Sequence, residues 1–311
     1  MKKAIVTGGA GFIGTNLIQR LILEGYQVFS LDNYSTGKIE NEVPRANYIN
    51  DDIENILELK TKFDVCFHLA AQSRVQPSFD NPKESIRVNV TGTAKVMEWA
   101  RINNIKVIYA GSSSKHHDPS DSPYAMTKFL GEEVCKLYKK SFNVNVEIAR
   151  FYNVYGPTQQ LDEKFGNVIG IWQVKVKKNQ PLTIVGDGNQ KRDYIYVSDV
   201  CDAFYRCAIS NYKNEIFNLG TGSPKKINDL VKILNSKTIK LPWRPGEPRV
   251  TWANTKKITS YLKWKPNVSF KEGVKSMMKN IDYWSNAPLW TEKKIKKATK
   301  IWFNTLNDKK K

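Results

Sequence analysis

Acidic residues are scarce in this chain: 30 Asp and Glu stand against 49 Lys and Arg, for a formal charge of +19. Cysteine and histidine are scarcer still, at four and three among 311 residues. Cys66, Cys135, Cys201 and Cys207 lie in separate segments, with no Cys-x-x-Cys pair and no metal-ligand spacing. That pattern leaves no sulfur-based metal site, argues against a disulfide framework, and points to reduced thiols in a cytosolic protein. No apolar run reaches membrane-spanning length. The chain also arrives at a glycine turn at Gly8 too early for the apolar core of a signal peptide. Lysine is spread along the sequence without an arginine-rich motif, so the charge reads as a lysine-rich surface and not as nucleic-acid recognition. Its densest part is Thr291–Lys311, with eight lysines against Glu292 and Asp308. A positive field of this kind also suits a phosphorylated substrate.

What is present is a large apolar fraction, 41%, with eight Trp, enough for a sizeable core in one α/β unit or two unequal ones. Lys3–Thr7 is a short apolar strand that runs straight into Gly8-Gly9-Ala10-Gly11-Phe12-Ile13-Gly14 and a helical pattern through Glu24. Gly25 ends that helix, and a second strand closes on Asp32, 18 residues after Gly14. Strand, glycine turn, helix, strand and acid make the dinucleotide-binding βαβ order. The glycines let backbone N–H groups approach a pyrophosphate at the helix N-terminus. Asp32 is placed to accept hydrogen bonds from ribose hydroxyls, and an acid without a following arginine favours NAD over NADP. The expected fold class is therefore α/β, a Rossmann-type doubly wound parallel sheet with a smaller C-terminal α/β substrate domain.

The spacing Gly8-x-x-Gly11-x-x-Gly14 resembles the fingerprint of extended short-chain dehydrogenases/reductases of the NAD-dependent epimerase/dehydratase type. Further pieces follow in that family's order: Asp51-Asp52-Ile53, the strand and turn Phe63–Ser73, Asn89-Val-Thr-Gly-Thr93, and Arg150 to Pro157. The resemblance implies NAD against Gly8, Gly11, Phe12, Ile13 and Gly14, and against Asp32, Asn33, Ser35, Thr36 and Gly37. It adds Asp52 and Ile53 at the adenine, Leu69, Ala70, Ala71 and Ser73 along the fourth strand's end, Asn89 steadying the central helix, and Tyr152. His68, at the end of a buried strand, reads as a packed histidine and not as a base. The implied division is an NAD-binding domain over 1–155, a mainly substrate-binding region over 156–285, and a basic helical extension over 286–311, N-capped by Thr291.

The stretch Gly111–Lys128 reads GSSSKHHDPSDSPYAMTK. Tyr124 and Lys128 fall one helical turn apart, and a neighbouring cation favours phenolate over phenol. By resemblance Ser112, Tyr124 and Lys128 are the catalytic set and also touch the cofactor. Tyr124 takes a proton from a sugar hydroxyl, Lys128 lowers the tyrosine pKa and binds ribose, and Ser112 hydrogen-bonds the reacting oxygen. Arg74, Ser78, Ser113, Ser114 and Asn153 are the implied substrate contacts, with Arg192, Arg244 and Glu247 at the nucleotide diphosphate and ribose. Glu247 stands where the family carries the shorter Asp.

Dehydratases of this family place Asp-Glu after the catalytic hydroxyl, and decarboxylases carry a Glu there; here Ser113 and Ser114 occupy those positions. Serine-rich versions resemble UDP-sugar 4-epimerases, which implies a nucleotide-sugar 4-epimerase with tightly held NAD in polysaccharide biosynthesis. The alternatives are a 4,6-dehydratase, a 4-dehydrogenase/reductase, or a catalytically weakened nucleotide-sugar binder. Ser112 and Tyr124 are only 12 residues apart, a shorter connection than the family's, which implies a more open sugar pocket. His116 and His117 are either loop surface or sugar contacts in place of the missing wall. Long helices over Pro82–Asn103 and Ser122–Phe142 imply a homodimer through a helix bundle.

Overall fold

The structure, a computed structural model, describes residues 1–116, 118–161, 167–243, 249–287, 289, 291 and 293–294. Two compact units emerge. The first holds Met1–Phe151, Val197–Leu219 and Thr255–Lys265, and the second holds the remainder.

The first unit is a parallel sheet of seven strands. They are β1 (Lys3–Thr7), β2 (Gln27–Asp32), β3 (Asn47–Asn50), β4 (Val65–His68), β5 (Lys106–Ser112), β6 (Val146–Phe151) and the strand Ile216–Leu219. Across the sheet the order is Ile216–Leu219, β6, β5, β4, β1, β2, β3. The direction of growth reverses between β1 and β4, so a crevice opens at the carboxyl ends of these two strands, where open α/β sheets bind ligands. Ala4, Ile5 and Val6 on β1 are wholly buried, as a strand covered on both faces requires, and this is why the strand reads as continuously apolar. Helix α1 (Phe12–Leu23) returns from β1 to β2 and buries Leu17, Ile18 and Leu21.

The division of the chain is not sequential. The strand Ile216–Leu219 pairs with β6. Trp264 buries its ring in the same unit, donating from Nε1 to the Asp199 carbonyl at 3.2 Å. These contacts draw 197–219 and 255–265 out of the region 156–285. Asp199 sits in the first turn of the helix Val197–Ile209, the position where an acid complements the helix dipole.

After β4 come α2 (Val75–Asp80) and α3 (Pro82–Ile86). The expected single helix 82–103 is interrupted: a π-helical turn over Arg87–Gly92 separates α3 from α4 (Thr93–Asn103). Sequence periodicity does not register one extra residue in a turn, and such π-turns gather at functional sites. Helix α5 (Pro123–Phe142) has Ser122 as its N-cap, accepting from Ala125 N at 3.1 Å, with Pro123 at the first helical position.

In the second unit, short sheets pair Asn153–Tyr155 with Tyr194–Tyr196, and Leu182–Val185 with Thr238–Leu241. Its core gathers Tyr155, Trp172, Leu182, Leu230 and Met277. A buried carboxylate, Asp193, holds the centre together. It accepts from Thr221 N at 2.7 Å, Thr221 Oγ1 at 2.5 Å, Gly222 N at 2.9 Å and Ala253 N at 3.0 Å. Asp193→Ala leaves these buried donors unpaired and is expected to destabilise the protein by about 3 kcal/mol, measured as a lowered urea midpoint. An unchanged midpoint rules this role out.

Among the described residues no helix is long and apolar enough to cross a membrane, and no cluster of His, Cys, Asp or Glu is arranged to hold a metal. The C-terminal extension lies outside the described residues except for its start, where Thr291 Oγ1 accepts from Lys294 N at 3.3 Å.

Candidate active site

The β1–α1 turn is tightly built. Gly8 has φ +74°, and a Cβ there would stand 2.8 Å from the Ala70 backbone nitrogen; one on Gly14 would run into the Gly8 carbonyl and Gly9 Cα. The turn therefore closes only with glycine at both positions. Gly11 is the N-cap of α1, no side chain caps it, and the first helical turn carries no acid. Backbone N–H groups at Phe12 and Ile13 are thus left without a side-chain cap, and the positive end of the helix dipole is uncompensated, which fits a pyrophosphate.

Asp32, at the end of β2, is 8% exposed. Its Oδ2 accepts from Ala10 N at 2.9 Å and its Oδ1 from Tyr34 N at 2.8 Å. Burial pushes its pKa up while these bonds oppose the rise. Each oxygen keeps a lone pair for a further donor. A Cβ on Gly37 would lie 3.0 Å from both of them, so glycine keeps that approach open. Asn33 and Asp52 are joined, Nδ2 to Oδ2, at 2.8 Å. Asp52 has a second partner. Arg87 grips it in a fork at 2.8 and 3.0 Å, holding its carboxyl down at about 2. Ser35 and Ser73 are exposed, Thr36, Leu69, Ala70 and Ala71 are half-buried, and Ile53 is buried against Gly92.

His68 is a satisfied structural residue, as its strand suggests. Ala70 N donates to Thr7 Oγ1 at 3.2 Å, and Thr7 Oγ1 in turn meets His68 Nδ1 at 2.8 Å. On the other side His68 Nε2 meets Thr93 Oγ1 at 3.0 Å, and Thr93 Oγ1 donates to the Asn89 carbonyl at 2.8 Å. The chain of donors assigns the proton to Nε2. Burial, with Lys128 nearby, lowers the ring's pKa to about 3, so it is neutral. Asn89, in the π-turn, is bonded to Gln72 N and O at 2.8 and 3.0 Å and to Thr127 Oγ1 at 2.9 Å. It fastens the segment after β4 to the helix that carries Tyr124.

The catalytic candidates meet. Ser112 Oγ and Tyr124 Oη are 3.3 Å apart. Ser114 donates to Ser112 Oγ from its backbone N at 3.2 Å and its hydroxyl at 2.9 Å, which leaves the Ser112 proton to point at Tyr124. Lys128 is 6% exposed, donates to the Ala110 carbonyl at 2.7 Å and lies 4.6 Å from the centre of the Tyr109 ring. Its pKa is pulled down to about 8 by burial. Burial raises the Tyr124 pKa, opposed by the Ser112 hydrogen bond and the charge of Arg74. The ammonium is turned to the Ala110 carbonyl, and the phenol is protonated at neutral pH.

Ser78 is 1% exposed; its hydroxyl donates to the Val75 carbonyl at 2.6 Å and accepts from Tyr124 N at 3.0 Å. It fixes the start of α5, a cap from a neighbouring helix that no local sequence pattern announces. Ser113 is half-buried in a 3₁₀ turn over Ser113–His116, and His117 lies outside the described residues. Sequence reading also missed the ion pair of the buried Glu132 on α5 with the part-buried Arg150 on β6. The one local signal was the placement of Glu132 one turn after Lys128.

In the second unit, Tyr152 is buried. Asn153 and Arg192 flank Asp193: Asn153 Nδ2 lies 3.4 Å from both the Asp193 carbonyl and Thr251 Oγ1, and Arg192 pairs in register with Lys225 and Thr251. The Asp193 carboxylate beside it is taken up by three backbone N–H groups and the Thr221 hydroxyl. Arg244 and Glu247 lie outside the described residues.

A sequence model described as the NAD dependent epimerase/dehydratase family matches residues 4–220. A relative named putative UDP-glucose 4-epimerase, from Methanocaldococcus jannaschii, is 38% identical over 298 residues, covering 88% of this chain and 96% of that one. The crystal structure of a UDP-glucose 4-epimerase with UDP-glucose, from Thermotoga maritima, superimposes with a TM-score of 0.85 at 29% identity, over 90% of this chain and 99% of that one. A UDP-glucuronic acid 4-epimerase from Bacillus cereus, solved with UDP-glucuronic acid and NAD, gives 0.81 at 30% identity over the same shares.

Proposed function

The chain belongs to the NAD-dependent epimerase/dehydratase family, and on that basis we propose that it is a UDP-sugar 4-epimerase acting through a transient 4-keto sugar. The observation that carries this reading is the Ser112–Tyr124 contact of 3.3 Å beside Lys128, followed by Ser113 and Ser114 with no carboxylate among them. An elimination of water needs an acid–base pair in addition to the oxidising set; the two serines cannot supply it at neutral pH.

Bound NAD would supply a reversible hydride acceptor for the sugar's C4 and a positive charge that favours the Tyr124 phenolate. Gly8, Gly11 and Gly14 with the start of α1 bind its pyrophosphate, and Asp32 its adenosine ribose. Tyr124 takes the proton from the C4 hydroxyl and gives it back, and Ser112 donates to the same oxygen as it becomes a carbonyl. Lys128 holds a positive charge beneath the site and binds the other ribose. In the second unit Asn153 and Arg192, with Arg244, are assigned to the nucleotide diphosphate, where a guanidinium fork matches the oxygens. Glu247 is assigned to the nucleoside ribose, and Arg74, Ser113 and Ser114 to the sugar.

The finer assignments in this reading are a homodimer, a cytoplasmic location and a role in polysaccharide biosynthesis. Helix α5 leaves Met126, Leu130 and Leu137 exposed on one side, apolar surface suited to a second copy. All four cysteines are buried and unpaired, as in a reducing compartment. Sedimentation at micromolar concentration is expected to give twice the chain mass, and a monomer refutes that part. Incubated with UDP-glucose, UDP-N-acetylglucosamine or UDP-glucuronate, the purified protein is expected to form the C4 epimer of at least one without added NAD. A 4-keto-6-deoxy product, or no turnover of any, sinks the reading.

A further inference from the structure

Beneath the catalytic residues lies a charge pair that the mechanism above does not use. Glu132, on α5 one turn beyond Lys128, is 1% exposed. Arg150, at the end of β6, grips it: Nε stands 3.0 Å from each carboxylate oxygen and Nη2 2.6 Å from Oε2. The pair fills the space under Gly111, where a Cβ would come within 2.8 Å of Arg150 Cγ and 3.0 Å of Glu132 Oε1. Gly111 stands between Ala110, whose carbonyl holds the Lys128 ammonium, and Ser112, the reacting hydroxyl. One salt bridge therefore underlies both anchor points.

We propose that Glu132, clamped by Arg150, is the positioning residue that keeps Lys128 charged and seated at the Ala110 carbonyl during turnover. The physical need is plain. A lysine buried to this degree loses its proton readily, and Glu132 is the foremost group opposing that loss. The other groups facing the ammonium do less. Tyr109 on β5 offers a ring face and His68 on β4 is neutral. Cys135 on α5 is a buried, protonated thiol, and Arg150 on β6 is a second cation. Arg74 acts on Tyr124, not on Lys128. Arg150 thus has two effects: it fixes the carboxylate bidentately, and it dilutes the field that Lys128 feels, which tunes the ammonium instead of locking it.

This inference rests on the assignment of Tyr124 and Lys128 as the catalytic pair, and its test separates the two. The alkaline limb of kcat against pH is measured with whichever of UDP-glucose, UDP-N-acetylglucosamine or UDP-glucuronate the wild type epimerises. In Glu132→Gln the limb is expected to move to lower pH by about one unit or more, a loss of roughly tenfold in kcat on its alkaline side, with KM changed by less than about twofold. Gln keeps the shape but strands Arg150, so the double variant Glu132→Gln with Arg150→Gln is measured alongside; there the limb is expected to move in the same direction by a smaller amount, because the repulsion of Arg150 is removed with the carboxylate. Glu132→Asp, which keeps the charge, is expected to restore part of the shift. A wild-type limb in either folded variant overturns the inference, whatever happens to stability. Absence of turnover by the wild type instead overturns the assignment beneath it.

Discussion

Tyr124→Phe is expected to lower kcat by about 10²–10⁴-fold, the range supplied by a positioned acid–base group. Fold and NAD content are expected to stay as in the wild type. The reason is local. The ring is held from below by α5, whose start is fixed by Ser122 and by the Ser78 hydroxyl at 3.0 Å from Tyr124 N. Removing the hydroxyl changes none of those contacts. It removes the one group placed to take and return the C4 proton, and it leaves Ser112 with its 3.3 Å partner gone. The measurement is single-turnover reduction of bound NAD by the UDP-sugar, followed by absorbance, beside the mass of cofactor released on denaturation. Activity of Tyr124→Phe within a few-fold of the wild type removes Tyr124 from the mechanism. Loss of bound NAD instead shows that the hydroxyl serves cofactor binding.

The second large effect concerns His68. Its ordinary pKa of 6.5 is lowered in the fold to about 3, by burial first and by Lys128 second. Below pH 6.5 the unfolded chain takes up a proton that the folded chain refuses until about pH 3. More protons on the unfolded state means that stability falls as pH falls through this window. The loss amounts to about 1.4 kcal/mol for each unit, on the order of 5 kcal/mol in all. Carboxylates contribute acid lability of their own, so the informative comparison is with His68→Gln, which does not titrate. Its urea midpoint is expected to be lower than the wild type's at pH 7.5, because the Thr7 and Thr93 bonds are disturbed, yet to change less between pH 7 and 4. Parallel curves for the two proteins show that the histidine is not the titrating group.

These two residues also mark how far the chain is legible as sequence. The Tyr124 to Lys128 spacing, the glycine turn and Asp32 are local patterns, and the structure sets them at the carboxyl edge of one sheet. The neutral, packed character of His68 followed from the strand around it. Its partners did not, because Thr7 and Thr93 lie far from it in sequence and meet it only when β1 and α4 flank β4. The π-turn at Arg87–Gly92 was invisible for a different reason: an added residue leaves the apolar pattern on either side intact. The partners of Ser78 and Asp52, Tyr124 N and Arg87, lie far from them in sequence and were not legible there.

What the sequence determined alone is the βαβ cofactor unit, the parallel doubly wound sheet, and the one-turn spacing of Tyr124 and Lys128. All of these rest on contacts between residues near in sequence or on hydrophobic periodicity. Tertiary structure alone decided the charges. Burial pushes the Tyr124 pKa up against the pull of Ser112 and Arg74, Lys128 is bound to a carbonyl beside the Glu132–Arg150 pair, and Asp193 gathers donors from two distant turns. The reason is physical. Desolvation and the direction of a hydrogen bond depend on which groups surround an atom in space, and that surrounding exists only after the sheet and its helices have closed around it.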